Sequence, residues 1–197
     1  MHLMKPLILA SRSPRRQHLL RQIGLNFEVR ESNVDEEFDA RQSPEENVKT
    51  ISKRKASIVA PSFENAIIIG ADTIVAFEKR VLGKPKDAKD ASDMLIALSG
   101  HWHEVYTGVT LFDRPTNETI STVEVTKVKF RSLAPREITE YVTSGSPMDK
   151  AGAYGIQDDY GAVFVEKIEG CFYNVVGFPL AKFYSTMQTF QKQLSLL

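Results

Sequence analysis

The sequence predicts an α/β protein: a single mixed-sheet domain with two lobes and a central cleft. Short apolar runs alternate with amphipathic helical stretches through the first half, the pattern of a layered α/β fold. Long runs alternating apolar and polar residues occupy the middle, as in antiparallel strands. The 197 residues suit one sizeable core and leave no room for two ordinary domains plus linkers. The expected domain is therefore 1–197.

Each element has its own signal. Leu7-Ile8-Leu9-Ala10 reads as a buried strand. Ser13-Pro14 then opens a helix, since Ser is a good N-cap and Pro favours the first helical position. Leu19, Leu20 and Ile23 supply its apolar stripe and Gly24 its stop. Ser43-Pro44-Glu45-Glu46 carries a capping box that starts a second helix reaching about Val59. Ala66 to Phe77 predicts a strand interrupted at Gly70-Ala71-Asp72. Asp87 caps a third helix with Ala91, Met94, Leu95 and Leu98 inward, stopped by Gly100. Glu104–Phe112 and Thr119–Phe130 read as strands joined by a turn at Pro115-Thr116-Asn117. A short helix is expected near Pro135–Val142. A hairpin follows, Ala162–Ile168 and Cys171–Val176 around Glu169-Gly170, and a helix ends the chain.

Composition narrows the function. Lys plus Arg and Asp plus Glu tie at 25 each, so no global field draws the chain to nucleic acid or an anionic membrane. Any anion must be held by local basic residues. The one cysteine, Cys171, excludes an internal disulfide framework and suits a reducing compartment. The first residues lack a signal-peptide core and no apolar run approaches ~18 residues. A cytoplasmic location is expected.

Four features depart from ordinary surface or core behaviour. Ser11-Arg12-Ser13-Pro14-Arg15-Arg16 puts arginines at a helix start, where the macrodipole favours anions. This is either a solvated basic turn or an anion site built from helix N–H groups, the Ser11 hydroxyl and guanidinium forks. Asp72, flanked by Ile67-Ile68-Ile69 and Ile74-Val75, must be paired, hydrogen-bonded, metal-bound or open to a cleft. It is a strand-end carboxylate, a metal ligand or a general base. Lys84 lies in Gly83-Lys84-Pro85, and Lys150 in a Gly-rich stretch through Gln157 that suggests backbone held close to a ligand. Lys55, late in the second helix, stands out less. Asp35-Glu36-Glu37 reads as a solvated loop, or with Asp72 as oxygen ligands for Mg2+. His101 and His103 share a strand face, yet nothing completes a zinc site around them, and Cys171 reads as a small core residue.

Taken together, Leu9-Ala10-Ser11-x-Ser13-Pro14-Arg15-Arg16, Lys55-Ala56, Gly70-Ala71-Asp72-Thr73, Lys84-Pro85 and Asp149-Lys150-Ala151-Gly152-Ala153-Tyr154-Gly155-Ile156-Gln157 resemble the Maf family of nucleoside triphosphate pyrophosphatases. The motifs spread over nearly the whole chain. Asp72-Thr73 and Gln157 resemble the subgroup acting on dTTP and UTP; the 7-methyl-GTP subgroup carries Gln after that Asp. The resemblance implies a fold similar to the inosine triphosphatases, a homodimer, and a divalent cation, Mg2+ or Mn2+. It implies Asp72 as proton acceptor, and Arg15, Thr73 and Gln157 as positions that set substrate choice. Ser11, Arg16, Glu36, Lys55, Lys84 and Lys150 would line the cleft, with Glu36 and Lys84 assisting catalysis and Asp72 and Glu36 offering oxygen to the metal. The implied reaction converts dTTP, UTP or modified pyrimidine nucleotides to the monophosphate and pyrophosphate. A non-catalytic nucleotide-binding regulator of cell division or septation is the alternative, and another phosphate-processing enzyme is a further one.

Overall fold

A computed structural model describes residues 5–78, 80–157 and 160–196. Its elements run β1 (Leu7–Leu9), α1 (Pro14–Gln22), β2 (Glu28–Val29), α2 (Pro44–Val59), β3 (Ala66–Phe77), β4 (Arg80–Leu82), α3 (Ala88–Leu98), β5 (Trp102–Arg114), β6 (Thr119–Phe130), α4 (Pro135–Thr143), β7 (Val165–Glu169), α5 (Phe172–Val176) and α6 (Leu180–Leu194). The seven strands form one mixed sheet in the order β2-β1-β3-β5-β6-β7, with β4 beside β3. β1 pairs parallel to β2 and β3, whereas β4 on β3 and β7 on β6 are antiparallel. The expected α/β class and mixed sheet are both present.

The chain divides into two compact units. One takes in the residues up to Asp72, Thr107–Glu124 and those from Gly177 onward; the other holds Thr73–Tyr106 and Val125–Val176. In the first, Ile8, Ala10, Ile68, Ala56 and Val59 form a core between strands and α2. β1 is buried throughout and β3 nearly so, the continuous apolar reading expected of central parallel strands. In the second, Val75, Leu95, Val105, Phe130, Tyr141 and Phe164 share a core.

Helix starts follow their sequence signals. Ser13 Oγ accepts from the Arg16 N–H at 3.5 Å, and Pro14 occupies the first turn. Ser43 and Glu46 form the expected capping box, and Asp87 caps α3 through the Asp90 N–H at 2.8 Å. The inward stripe of α1 differs from expectation: Ile23 is exposed, and Arg16 is buried with Leu19 and Leu20. Gly24, at φ 74°, takes the left-handed conformation just past the C-cap Ile23, where the helix has ended.

Two further expectations are corrected. β3 is not interrupted at Gly70-Ala71-Asp72 but runs unbroken from Ala66 to Phe77. Gly70 serves packing there, because a Cβ would come within 2.1 Å of the Ser52 carbonyl oxygen on α2. Gly108 of β5 does the same, its absent Cβ leaving room for the Val48 carbonyl. The expected 162–176 hairpin does not form. β7 pairs with β6, and Phe172–Val176 is helical. Thr126 captures the chain at Cys171, its Oγ1 accepting the Cys171 N–H at 3.1 Å. The Asn174 amide then donates to Val105 O at 2.9 Å and to Thr126 Oγ1 at 3.0 Å. These bonds turn the segment into a helix where the sequence predicts the second strand of a hairpin. Cys171, read as a core residue, is half-buried.

Candidate active site

The first unit assembles a charged centre inside its core. β3 carries Asp72, only 4% exposed, in the middle of an apolar strand. α2 presents Lys55, 5% exposed, from its buried stripe. Lys55 Nζ donates to Asp72 Oδ1 at 2.6 Å and meets Glu36 Oε1, from the loop before α2, at 2.6 Å. One buried ammonium thus holds two carboxylates. Arg16, at the start of α1, is also buried; its Nε donates to Gly177 O at 3.0 Å and its Nη1 to Ser11 Oγ at 3.3 Å. Ser11 Oγ also accepts the Ser13 N–H at 3.2 Å. At this turn Arg16 is a fixed guanidinium built into the fold, while Arg12 is exposed and Arg15 half-buried.

The electrostatics follow from burial. Loss of water raises the Asp72 pKa above its usual range; Lys55 and then Arg16 oppose that rise, and Glu36 adds to it. Burial likewise lowers the Arg16 pKa, with Asp72 and Glu36 opposing and Arg15 contributing, but a guanidinium stays protonated. Among the described residues, Asp72 Oδ2 is buried with no hydrogen-bond partner. Leaving an ionisable oxygen unsatisfied costs free energy that a purely structural carboxylate has no reason to incur. Such an atom, beside fixed cations, is suited to accept a proton or to bind a cation.

The other expected residues fall in the second unit. Thr73 follows Asp72 on β3 and is half-buried. Lys84 is exposed between β4 and α3, whereas Pro85 after it is buried. Lys150 is 8% exposed; its Nζ donates to Ser146 O at 2.5 Å and to Asp149 Oδ1 at 2.9 Å. The Gly-rich stretch is expected to hold backbone close to a ligand; at Gly152 the close neighbour is a protein side chain. The Gly152 φ is 67°, and a Cβ would sit 2.8 Å from Val75 Cγ2. Gln157 is more decided than its sequence suggests. Its Oε1 accepts the Ile156 N–H at 3.2 Å, while Nε2 is buried and, among the described residues, without a hydrogen-bond partner. The amide has therefore used its acceptor and kept its donor. Arg15, half-buried in the first turn of α1, stays with the first unit.

Among the described residues, no group of three His, Cys, Asp or Glu stands close enough to cage a metal. What Asp72 and Glu36 offer is hard oxygen, one atom of it unsatisfied. That suits a cation that takes one or two carboxylates and completes its shell from substrate phosphates. His103 lies elsewhere, its Nε2 within 2.8 Å of Tyr154 Oη in the aromatic core of the second unit. No helix among the described residues is long and apolar enough to cross a membrane.

Sequence reasoning undervalued Lys55 and missed Asn47, which bonds the loop carrying Glu36. The available signal was helical: Asn47, Ser52 and Lys55 are polar residues on the stripe that also holds Val48 and Ile51. Polar residues on a buried helix face need partners.

Fold and site define an α/β protein with a buried carboxylate, Asp72, paired to a buried ammonium, Lys55, near a buried guanidinium, Arg16. The chain belongs to the Maf family: the family model described as Maf-like protein matches residues 6–190. It is 48% identical over 187 residues to a dTTP/UTP pyrophosphatase of Dictyoglomus turgidum, covering 94% of this chain and 96% of that one. It is 52% identical over 180 residues to the protein of the same name from Carboxydothermus hydrogenoformans, covering 91% and 96%. The corresponding Bacillus cytotoxicus protein is 46% identical over 192 residues, covering 98% and 99%. The Staphylococcus aureus Ham1 structure superposes over 64% of this chain and 72% of its own, at 16% identity and a TM-score of 0.40, too low to bear on fold or function.

Proposed function

We propose that the chain is a nucleoside triphosphate pyrophosphatase that converts dTTP and UTP to the monophosphate and pyrophosphate, with modified pyrimidine nucleotides as further substrates. The observation that carries this reading is the unsatisfied Oδ2 of the buried Asp72, whose other oxygen, Oδ1, accepts from Lys55. The near-full-length identity to proteins named dTTP/UTP pyrophosphatases supports it. The family match over residues 6–190 supports treating 1–197 as one such domain.

In the proposed reaction, water attacks the α-phosphorus in line with the bridging oxygen. The new P–O bond forms as the α–β anhydride bond breaks, and pyrophosphate leaves with the bonding pair. The proton released by the water passes to Asp72 Oδ2, whose burial-raised pKa makes it a better base than an exposed carboxylate. Lys55 keeps Asp72 oriented and limits that rise. Arg16, held by Ser11 and Gly177, supplies fixed positive charge toward the developing negative charge. Lys84 and Lys150 are assigned to the phosphates by their motifs. Asp72 is either the base or a metal ligand; Glu36, with Asp72 in the latter role, would hold a divalent cation, Mg2+ or Mn2+, that would neutralise phosphate charge and lower the barrier to in-line attack. Arg15, Thr73 and Gln157 are assigned to substrate choice. The protein is expected to work as a homodimer, without nucleic acid or membrane.

The deciding experiment is product analysis. UTP or dTTP with Mg2+ or Mn2+ should yield the monophosphate and pyrophosphate. Orthophosphate as first product would point to a phosphatase, and tight binding without turnover to a nucleotide-binding regulator.

A further inference from the structure

We infer that Asn47 is a positioning residue that sets Glu36 against Lys55. The inference rests on the reading of Asp72, Lys55 and Glu36 as the reacting centre. Residues 30–39, between β2 and the turn before α2, have no regular secondary structure, so nothing in their own backbone pattern fixes Glu36. Side chains brace the loop at both ends. At the near end Ser32 Oγ donates to Ala10 O at 3.2 Å. At the far end a single amide clamps the chain from the first turns of α2. Asn47 Oδ1 accepts the Asp39 N–H at 2.8 Å. Its Nδ2 faces the carbonyls of Asp39, Gln42 and Ser43 at 3.0, 3.3 and 3.1 Å.

The chemistry of the clamp requires an amide. Both backbone groups of Asp39 are read, N–H by an acceptor and C=O by a donor, and Asn carries the two on separate atoms of one side-chain end. Asn is a poor helix former, and an amide 3% exposed must be satisfied. Here it is. Asp39 is three residues from Glu36, and Asn47 and Lys55 share the buried stripe of α2. The helix that supplies the cation therefore also supplies the clamp that holds the loop's carboxylate on it. Glu36 is half-exposed, so its own burial does little to hold it. Losing the clamp should release Glu36 from Lys55 and leave Asp72 paired.

A double-mutant cycle read in turnover of UTP, with amide hydrogen exchange beside it, tests this. Asn47→Ala and Glu36→Gln should each lower kcat roughly 10- to 100-fold, the usual effect of misplacing a group at a reacting centre. In the Glu36→Gln background, Asn47→Ala should then add less than about twofold, because its effect passes through Glu36. Reductions that multiply would make Asn47 a general stability residue and overturn the inference. Exchange should rise at residues 33–41 in Asn47→Ala and stay unchanged along 48–59 of α2; unchanged protection at 33–41 would overturn it as well. If the wild type leaves UTP intact, the pyrophosphatase reading fails, and the exchange experiment alone decides the positioning role. Asn47→Asp, which keeps the acceptor and loses both donors, gives the same readouts should the alanine variant not fold.

Discussion

Asp72 carries the heaviest chemical demand of any residue in the first unit. It sits between apolar neighbours, shares one oxygen with Lys55 and leaves the other without a partner. Asp72→Asn preserves size and removes basicity, so turnover should drop at least ~10²-fold in a folded protein if Asp72 is the base. Near wild-type rates, with an unchanged circular dichroism spectrum, would remove it from the mechanism. The pH dependence gives an independent check. The base must be ionised, so kcat/KM rises as pH passes upward through the Asp72 pKa. Lys55 lowers that pKa against the effect of burial, and Lys55→Met should move the acidic limb to higher pH. A limb that stays in place would mean another group titrates there. Gln157 yields a third expectation. With its Oε1 occupied by Ile156 N–H, its free donor suits the carbonyls of uracil and thymine, whereas cytosine's 4-amino group would meet donor with donor. Gln157→Glu replaces the donor by an acceptor. It should narrow the UTP-over-CTP preference by about 5- to 150-fold, the rate equivalent of roughly 1–3 kcal/mol for such a mismatch. An unchanged ratio would exclude Gln157 from base reading.

At the scale of elements, the contact of α2 with the sheet decides whether Lys55 reaches Asp72. That contact depends on two glycines. Gly70 and Gly108 let the α2 backbone approach so closely that a methyl at either would overlap the Ser52 or Val48 carbonyl. Neither glycine has a positive φ, so the requirement is for space. Backbone carbonyls cannot rotate away as a flexible side chain can. Ser52 adds a buried hydroxyl contact to Thr110 at 2.9 Å, tying the same stretch of helix to β5. Gly108→Ala should therefore destabilise the protein by about 1–3 kcal/mol or more, the usual cost of overpacking a core. It should also reduce turnover, by moving α2 and with it Lys55. Urea denaturation and steady-state kinetics on one preparation would test both, and unaltered stability would mean that α2 accommodates the methyl by a shift that costs nothing.

On the scale of the whole molecule, the second unit carries a titratable group buried for packing. His103 contacts Phe130 edge-on at 4.9 Å and Tyr154 at 5.4 Å. Burial lowers its pKa from 6.5 to about 3. The folded protein keeps the imidazole neutral where the unfolded chain takes up a proton. Its contribution to stability is thus complete above pH 6.5 and is lost as pH falls from 6.5 toward about 3. One proton corresponds to a slope of about 1.4 kcal/mol per pH unit. Unfolding free energies measured by urea between pH 7 and pH 5 should show that decline, and His103→Gln, which does not titrate there, should flatten it. Parallel profiles for the two proteins would assign the acid sensitivity to other groups.

Local signals determined much of this molecule. Ser13-Pro14, the Ser43–Glu46 box and Asp87 start helices where they stand because a cap's hydrogen bonds reach only three residues along the chain. Apolar runs and alternation located the long strands for the same reason. The exceptional character of Asp72 was legible too, since a carboxylate among isoleucines needs an explanation wherever the chain goes. Partners distant in sequence were not legible. That Lys55 would be the cation on Asp72, that Arg16 would turn inward in place of Ile23, and that Gly152 would pack on Val75 all depend on how elements meet. So does the fate of Cys171–Val176, expected as a strand and made helical by Thr126 and Asn174. Asn47 belongs with these. The sequence determined which residues must be buried or satisfied, and only the tertiary structure decided by which neighbours, because burial is a property of one residue and a hydrogen bond belongs to two.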